Sequence, residues 1–324
     1  MKNFCELVLS RGGIIKPLII DSNLTKGTGL FNPSVFVDGN KIYVNVRHCQ
    51  YTLYHSELND NEHPWGPLIY FNPENDLTLT TTNYFGELNE DLSFKYYHKV
   101  DTSMLDVQPV WEFVGLEDCR IVKWDNKLYL CGVRRDTKSN GEGRMELSEI
   151  EVSENGVKEI SRFRIPAPGP DNSYCEKNWM PILDKPYHFL KWCNPVEVTK
   201  ADPIQKTCES AFLGNKIFFD WDQRGGGQVV PFEDGYLTLI HETNLQWSEA
   251  GRKDGTYRHR LTYWNKNWEP IRRSREFSFL GAKIEFGCGL AKKDNDIYIT
   301  FGFQDNAAYV IKTDVHTVKD FIYA

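Results

Sequence analysis

Ten short polar segments carry the residue types in this chain that are equipped for chemistry. Five stand ahead of an apolar run: Asn32-Pro33-Ser34, Glu117-Asp118-Cys119-Arg120, Glu176-Lys177-Asn178-Trp179, Gly225-Gly226-Gly227-Gln228 and Glu285-Phe286-Gly287-Cys288. Five follow a second run: Arg47-His48, Arg134-Arg135-Asp136, Lys191-Trp192-Cys193-Asn194, His241-Glu242 and Gln304-Asp305. Carboxylates, guanidinium groups, amides and tryptophan gathered in one place suit a polyhydroxylated ligand, phosphorylated or not. The competing reading is a solvated rim. A rim favours lysine, glutamate and serine over Asn-Pro, tryptophan and Gly-Gly-Gly.

Hairpins are the elements that would bring these segments together. Asp38-Gly39, Asp125-Asn126, Asp184-Lys185, Asp234-Gly235 and Asp294-Asn295 each separate two short apolar and aromatic runs, such as Val35-Phe36-Val37 from Ile42-Tyr43-Val44. A turn pair between such runs predicts a β-hairpin, and its recurrence predicts a repeat architecture. The turn aspartates are 87, 59, 50 and 60 residues apart, from Asp38 through Asp125, Asp184 and Asp234 to Asp294. The last three intervals suit one β-propeller blade each. The expected fold is therefore all-β, a five-bladed β-propeller, with residues 1–324 as one domain and an insertion around 59–95. The polar ends of the hairpins would then surround one mouth of the central channel. Residues 312–323 fit either a closing strand or a short helix, and no long stretch has helical periodicity.

Composition narrows the function. A net charge of -7 without a basic stripe argues against nucleic acid as a partner. No apolar run reaches the roughly 20 residues of a membrane span. Glu6 and Arg11 interrupt the apolar N-terminal stretch, so it does not read as a secretory signal. The eight cysteines form neither Cys-x-x-Cys pairs nor zinc-type clusters with histidine, which points to buried thiols in a reducing, cytoplasmic setting and to no metal. The triple glycine is no phosphate loop because no helix follows it, and His241-Glu242 lacks the second histidine of a metalloprotease. Nothing in the sequence sets an oligomeric state.

The polar segments resemble the five-bladed propellers of glycoside hydrolase family 130, the mannoside phosphorylases and related mannosidases. Gly115-Leu-Glu-Asp-Cys-Arg-Ile121 is similar to that family's Gly-x-Glu-Asp-Pro-Arg-Ile signature. Gly226-Gly-Gln-Val-Val-Pro231 followed by Tyr236-Leu-Thr-Leu-Ile-His241 resembles its Gly-x-Pro-Pro segment and phosphate-binding histidine. Phe301-Gly-Phe-Gln-Asp305 resembles Tyr-Gly-Ala-Ala-Asp, and Glu176-Lys-Asn178 a third-blade Lys-Asn pattern. The chain departs from the family at Cys119, Gln228 and Glu242.

The resemblance implies inverting phosphorolysis, or reverse synthesis, of β-mannosides or similar glycosides, with an oligosaccharide or glycoside substrate. Inorganic phosphate would be the co-substrate and no other cofactor would be needed. Asp118 would be the general acid, and Arg47, Arg135 and His241 would hold phosphate. Asn32, Glu117, Arg120, Lys177, Asn178 and Asp305 would contact sugar. An inverting hydrolase would also need a second carboxylate, for which Glu285, Glu242 and Glu176 are the candidates. A glycosyltransferase using a sugar phosphate or nucleotide sugar, a hydrolase, and a carbohydrate-binding propeller without catalysis are the alternatives.

Overall fold

Alternating apolar residues and left-handed turn residues produce antiparallel hairpins along the whole chain. Asp125 and Asn126 have φ of 51° and 61°, the backbone that a tight two-residue hairpin turn demands and that Asp and Asn tolerate best. The structure, a computed structural model, describes residues 3–55, 68–71, 78–169, 173–217, 222–247 and 253–324.

The chain opens with helix α1 (Phe4–Ser10), strand β1 (Ile14–Pro17) and helix α2 (Ser22–Thr25). Strands β2 (Leu30–Asp38) and β3 (Lys41–Cys49) form the first hairpin, and a separate pair, β4 (Thr52–His55) and β5 (Leu68–Phe71), follows. The first sheet is completed by β6 (Leu79–Leu88) and β7 (Phe94–Asp101). After the two-residue β8 (Phe113–Val114) come β9 (Leu116–Trp124), β10 (Lys127–Arg134), β11 (Arg144–Ser153) and β12 (Gly156–Arg164), again an antiparallel set in chain order. A short parallel pairing of β12 with β7 joins these two sets into one sheet.

The third set is β13 (Met180–Pro181), β14 (His188–Cys193), β15 (Val196–Asp202) and β16 (Thr207–Leu213). The fourth places β17 (Asp222–Gly225) and β18 (Val230–Phe232) side by side on β19 (Gly235–Trp247), which pairs onward with β20 (Lys253–Trp264) and β21 (Pro270–Arg273). The fifth comprises β22 (Glu285–Lys293), β23 (Asp296–Phe303) and β24 (Ala307–Asp314), with β1 as its outer strand, so that the first strand in sequence closes the last sheet. Helix α3 (Val315–Tyr323) ends the chain, capped by the Asp314 carboxylate on the Thr317 N–H. The undecided segment is thus strand to Asp314 and helix beyond it.

The protein is all-β with small helices at its ends. The Asp-centred turns at 38, 125, 234 and 294 join β2–β3, β9–β10, β18–β19 and β22–β23. Asp184-Lys185 lies instead in a longer connection from β13 to β14. Of the insertion expected near 59–95, residues 56–67 and 72–77 lie outside the described residues. Strands β6 and β7 belong to the first sheet, so that part of the range is not inserted. No helix among the described residues is long and apolar enough to cross a membrane.

Two side chains tie the first strands of these sets to one another. Gln228, fully buried, donates through Nε2 to the carbonyls of Val35 (2.8 Å) and Ile121 (2.9 Å) and accepts through Oε1 from the Leu290 N–H (3.0 Å). One amide thus spans β2, β9 and β22. Arg120, 1% exposed, reaches from β9 to the carbonyls of Gly226 (2.7 Å) and Gly225 (3.4 Å). Backbones meet too closely here for side chains: a Cβ on Gly226 would lie 2.7 Å from the Gly287 oxygen. The Gly-Gly-Gly run is therefore a packing requirement.

Gln228→Leu would leave two carbonyls and one N–H buried without partners, at about 1–3 kcal/mol each before relaxation. Denaturant unfolding should show a loss on the order of 3 kcal/mol or more, and a loss below about 0.5 kcal/mol would contradict the tie.

Candidate active site

β-Bulges lie near one end of the hairpins, where the register shifts between Phe31 and Ser34, Cys131 and Val133, Leu190 and Trp192, and Gly287 and Gly289. Such irregularities re-aim side chains at strand ends. Asn32 and Asp118, both at these ends, have φ of 46° and 50°, and Asn178 has 62°. The outcome is a direct contact, in which Asn32 Nδ2 donates to Asp118 Oδ1 at 2.8 Å.

Arg47 is the hub. Its guanidinium, almost wholly buried, donates to Asp118 Oδ1 (2.8 Å), Glu117 Oε2 (3.2 Å) and Thr81 Oγ1 (3.1 Å), and its cation lies 4.9 Å from the Phe31 ring centre. The strand carrying these carboxylates is fixed from behind, since Asn45 donates to Asn83 (2.8 Å) and Asn83 to the Leu116 carbonyl (2.9 Å). Asp305, in the turn from β23 to β24, faces the same group. Its backbone oxygen packs against Gly29, and a Cβ on the nearby Gly302 would lie 2.2 Å from Asn32 Oδ1.

One guanidinium cannot neutralise three carboxyls, and the three respond differently. Burial alone would raise Asp118, but Arg47, the Asn32 amide and Arg120 outweigh it and hold the group below its usual range. Burial raises Glu117 despite Arg47. Asp305 is pushed up to about 6, chiefly by burial and then by the negative charges of Asp118 and Glu117, with Arg47 only partly offsetting them. Asp118 is thus held below its usual range by partners that Asp305 lacks.

A cationic side adjoins. His241 is buried and neutral, its imidazole pushed well below the usual range by burial and by His259, Arg224, Arg120 and Lys177. Its Nδ1 is buried without a partner, and its ring stacks on Tyr257 with centroids 5.7 Å apart. The Tyr257 phenol, raised to about 12 by burial first, feels Asp305, Arg224 and Asp118, and so links the two halves of the site.

Several expected roles change. Arg47, expected to hold phosphate, directs its donors to Asp118, Glu117 and Thr81. Arg135 is engaged on the Gly141 carbonyl (2.9 Å) and the Tyr174 hydroxyl (3.0 Å), between the Phe113 and Tyr174 rings. Arg120, expected at a sugar, is a structural tie whose donors meet backbone carbonyls, including that of Asp118 at 2.7 Å. The three candidates for a second carboxylate are all engaged elsewhere. Glu176 accepts from Trp179 Nε1 (3.1 Å) and pairs with Lys191 (3.4 Å). Glu242 accepts from Gln223 (3.0 Å) and Arg260 (2.8 Å) and pairs with Arg273. Glu285 anchors the N–H groups of Phe279, Leu280 (2.8 Å) and Ala282 (3.0 Å). Lys177 is exposed, and Asn178 keeps a buried, unpartnered Oδ1.

No family model and no curated protein matches the sequence. Solved structures do match the fold. A candidate glycoside hydrolase from Parabacteroides distasonis is 16% identical with a TM-score of 0.59, over 89% of this chain and 87% of its own. The β-1,2-mannobiose phosphorylase of Listeria innocua, in complex with β-1,2-mannobiose, is 13% identical with a TM-score of 0.55, over 95% of this chain and 96% of its own. A structure from work on family 130 glycoside hydrolases that target β-1,2 mannosidic linkages in Candida mannan is 13% identical with a TM-score of 0.58, over 89% and 85%. The chain shares the fold of these structures.

Arg224 and Tyr257 were missed in sequence. Arg224 immediately precedes the triple glycine and pairs in register with His241, a signal that was available. Tyr257 lies on the third strand of its set, where reading only the first two strands does not reach.

A carboxyl that binds its proton more tightly when folded adds stability fully below its ordinary 3.8 and loses it as pH rises toward about 6. Asp118, being depressed, works in the opposite sense, so the difference between parent and Asp305→Asn is the quantity to read. That difference should move in favour of the variant by on the order of 2 kcal/mol between about pH 4 and about pH 8 in denaturant unfolding. A difference independent of pH would contradict the raised Asp305.

Proposed function

We infer that this chain is a five-bladed β-propeller enzyme acting on β-mannosides or similar glycosides by inverting phosphorolysis, or by the reverse synthesis. Five sets of four antiparallel strands support the blade count, with β17 and β18 together serving as one inner strand. Phosphorylases and glycoside hydrolases among the matched structures support the reaction class, and the mannobiose complex supports the sugar.

The observation that carries the reading is the separation of charge within one site. Glu117, Asp118 and Asp305 form an acidic side around Arg47, while Arg224 and the neutral His241 form a second side, with Lys177 acting on both Glu117 and His241 and with Tyr257 between the two. Glycosidic cleavage needs a proton delivered to the departing oxygen and, for inversion, a nucleophile on the opposite face of the sugar. Carboxyls with divergent proton affinities supply the first need. Two cations beside an imidazole nitrogen without a partner suit inorganic phosphate as the second reactant. Hydrolysis would call for a base to activate water, and the engagement of Glu176, Glu242 and Glu285 in structural bonds favours phosphate as the nucleophile. Asn32, Asp118 and Asn178 remain suited to sugar hydroxyls.

Mannose 1-phosphate supplied with mannose or other sugar acceptors should release phosphate as product forms. Turnover only from a nucleotide sugar would replace this reading with a glycosyltransferase, and binding without turnover would replace it with a carbohydrate-binding propeller. Lys177→Met should raise the KM for phosphate about tenfold or more with little change in the KM for glycoside, about the effect of one lost charge-assisted hydrogen bond. Equal effects on both constants would contradict a phosphate role for Lys177.

A further inference from the structure

A cavity opens between the first and second sets of strands. Its volume is about 330 Å³, and β6, β7, β10, β11, β12 and residues 102–109 contribute to its walls. None of Asn32, Arg47, Glu117, Asp118, His241 and Asp305 lines it. The next seam, between the second and third sets, is filled by Trp124, Tyr129, Trp179 and Phe189. Here charged groups stand in place of rings. Arg134 meets Glu146 (2.6 Å) and Asp136 (3.4 Å), while Arg162 meets Glu159 (2.6 Å) and Asp106 (2.9 Å). Ser148 also donates to Glu159 (2.6 Å). Arg134, Asp136, Glu146 and Glu159 are each no more than 6% exposed. Buried pairs of this kind add little stability over apolar packing. The cluster therefore suits a wall that has to stay polar.

We propose that this cavity is a second binding site, for a neutral polyhydroxylated molecule the size of a single hexose. Lys99, Arg134 and Arg162 line it against Asp106, Asp136 and Glu159, so the lining carries no net charge to hold an ion. Thr80, Thr82, Thr102 and Thr137 bring hydroxyls that both donate and accept. Two lining residues keep a buried atom without a partner: Oδ1 of Asp136, an acceptor, and Nε of Arg162, a donor. Hydroxyl groups serve both. Val100, Val114, Leu116 and Leu130 add apolar surface for the C–H faces of a sugar ring. The volume lies at the small end of the roughly 300–1,000 Å³ usual for small-molecule sites. Two bonds connect the cavity to the Arg47 centre. Thr81 lines the cavity and accepts from Arg47 Nε (3.1 Å), and Asp136 accepts the N–H of Gly115 (2.8 Å), two residues before Glu117.

Methyl NMR tests the site without requiring any turnover. In protein labelled at its valine and leucine methyls, mannose or glucose should shift Val100, Val114 and Leu130 in a saturable way, and inorganic phosphate should leave them in place. Val107 lines the same cavity yet is 68% exposed, so it can be replaced without disturbing the core. Val107→Trp should weaken the hexose response about tenfold or more by covering the entrance. Asp136→Asn keeps an acceptor for the Gly115 N–H and should also weaken it about tenfold, the effect of one lost charge-assisted hydrogen bond. Hexose that leaves these three residues unmoved would overturn the proposal, and so would a response to phosphate instead. A response of undiminished strength in both variants would place the ligand elsewhere and overturn it as well. A parent protein that shows the shifts but turns over no mannoside would support the cavity site while counting against the catalytic reading.

Discussion

The bonds of Gln228 and Arg120 hold the first strands of the sheets at the spacing on which the site depends. Val35, Ile121, Gly226 and Leu290 are far apart in the chain, and bringing them together carries a large loop-closure cost that local hairpins cannot offset. Each bond contributes only about 1 kcal/mol net, but leaving such groups buried and unpaired costs more than the bond contributes. That asymmetry makes the register of the inner strands close to all-or-none. Side chains cannot share this space, hence the run Gly225-Gly226-Gly227 next to the amide that does the tying.

The site follows from the same constraint. Arg120 extends from the ring closure to the Asp118 carbonyl, so the residue that fixes β9 against the fourth sheet also holds the backbone beneath the key carboxylate. Bulges and left-handed residues then turn Asn32 and Asp118 toward each other and toward Arg47. Within this frame the number of charges decides behaviour. A buried ion pair is a poor source of net stability, but losing one partner strands the other at a cost on the order of 3–5 kcal/mol. Arg47 is therefore committed to Glu117 and Asp118, and the third carboxyl, without its bond, is pushed up to about 6. On the other side, burial keeps His241 neutral beside Arg224 and Lys177, so the positive charge there belongs to the lysine and arginine and not to the imidazole.

Hairpins and their turns were legible in sequence because both signals are local: period-two apolar runs, and Asp followed by Gly or Asn where φ must be positive. The polar hairpin ends could likewise be found by following each strand away from its turn, and Asn32, Arg47, Glu117, Asp118 and Asp305 do lie there, whereas His241 lies mid-strand because β19 runs on to Trp247. What those residues do was not legible. Whether Arg47 meets phosphate or carboxylate depends on residues 34 to 71 positions away, Thr81, Glu117 and Asp118. Glu285 and Glu242 look like free carboxylates in sequence, yet one accepts backbone N–H groups of residues 279–282 and the other accepts Gln223 and Arg260. Gln228 read as a departure in a proline-rich segment, and only three distant strands converging on it reveal its purpose. Helix α1 escaped notice because seven residues hold too few turns for a periodic signal.

A division of charge within one mouth is the central claim, and a crystal structure with inorganic phosphate bound tests it most directly. The account predicts the anion against Lys177, Arg224 and His241, with the Arg47 bonds to Glu117 and Asp118 intact. An anion seated on Arg47, displacing Asp118, would contradict it.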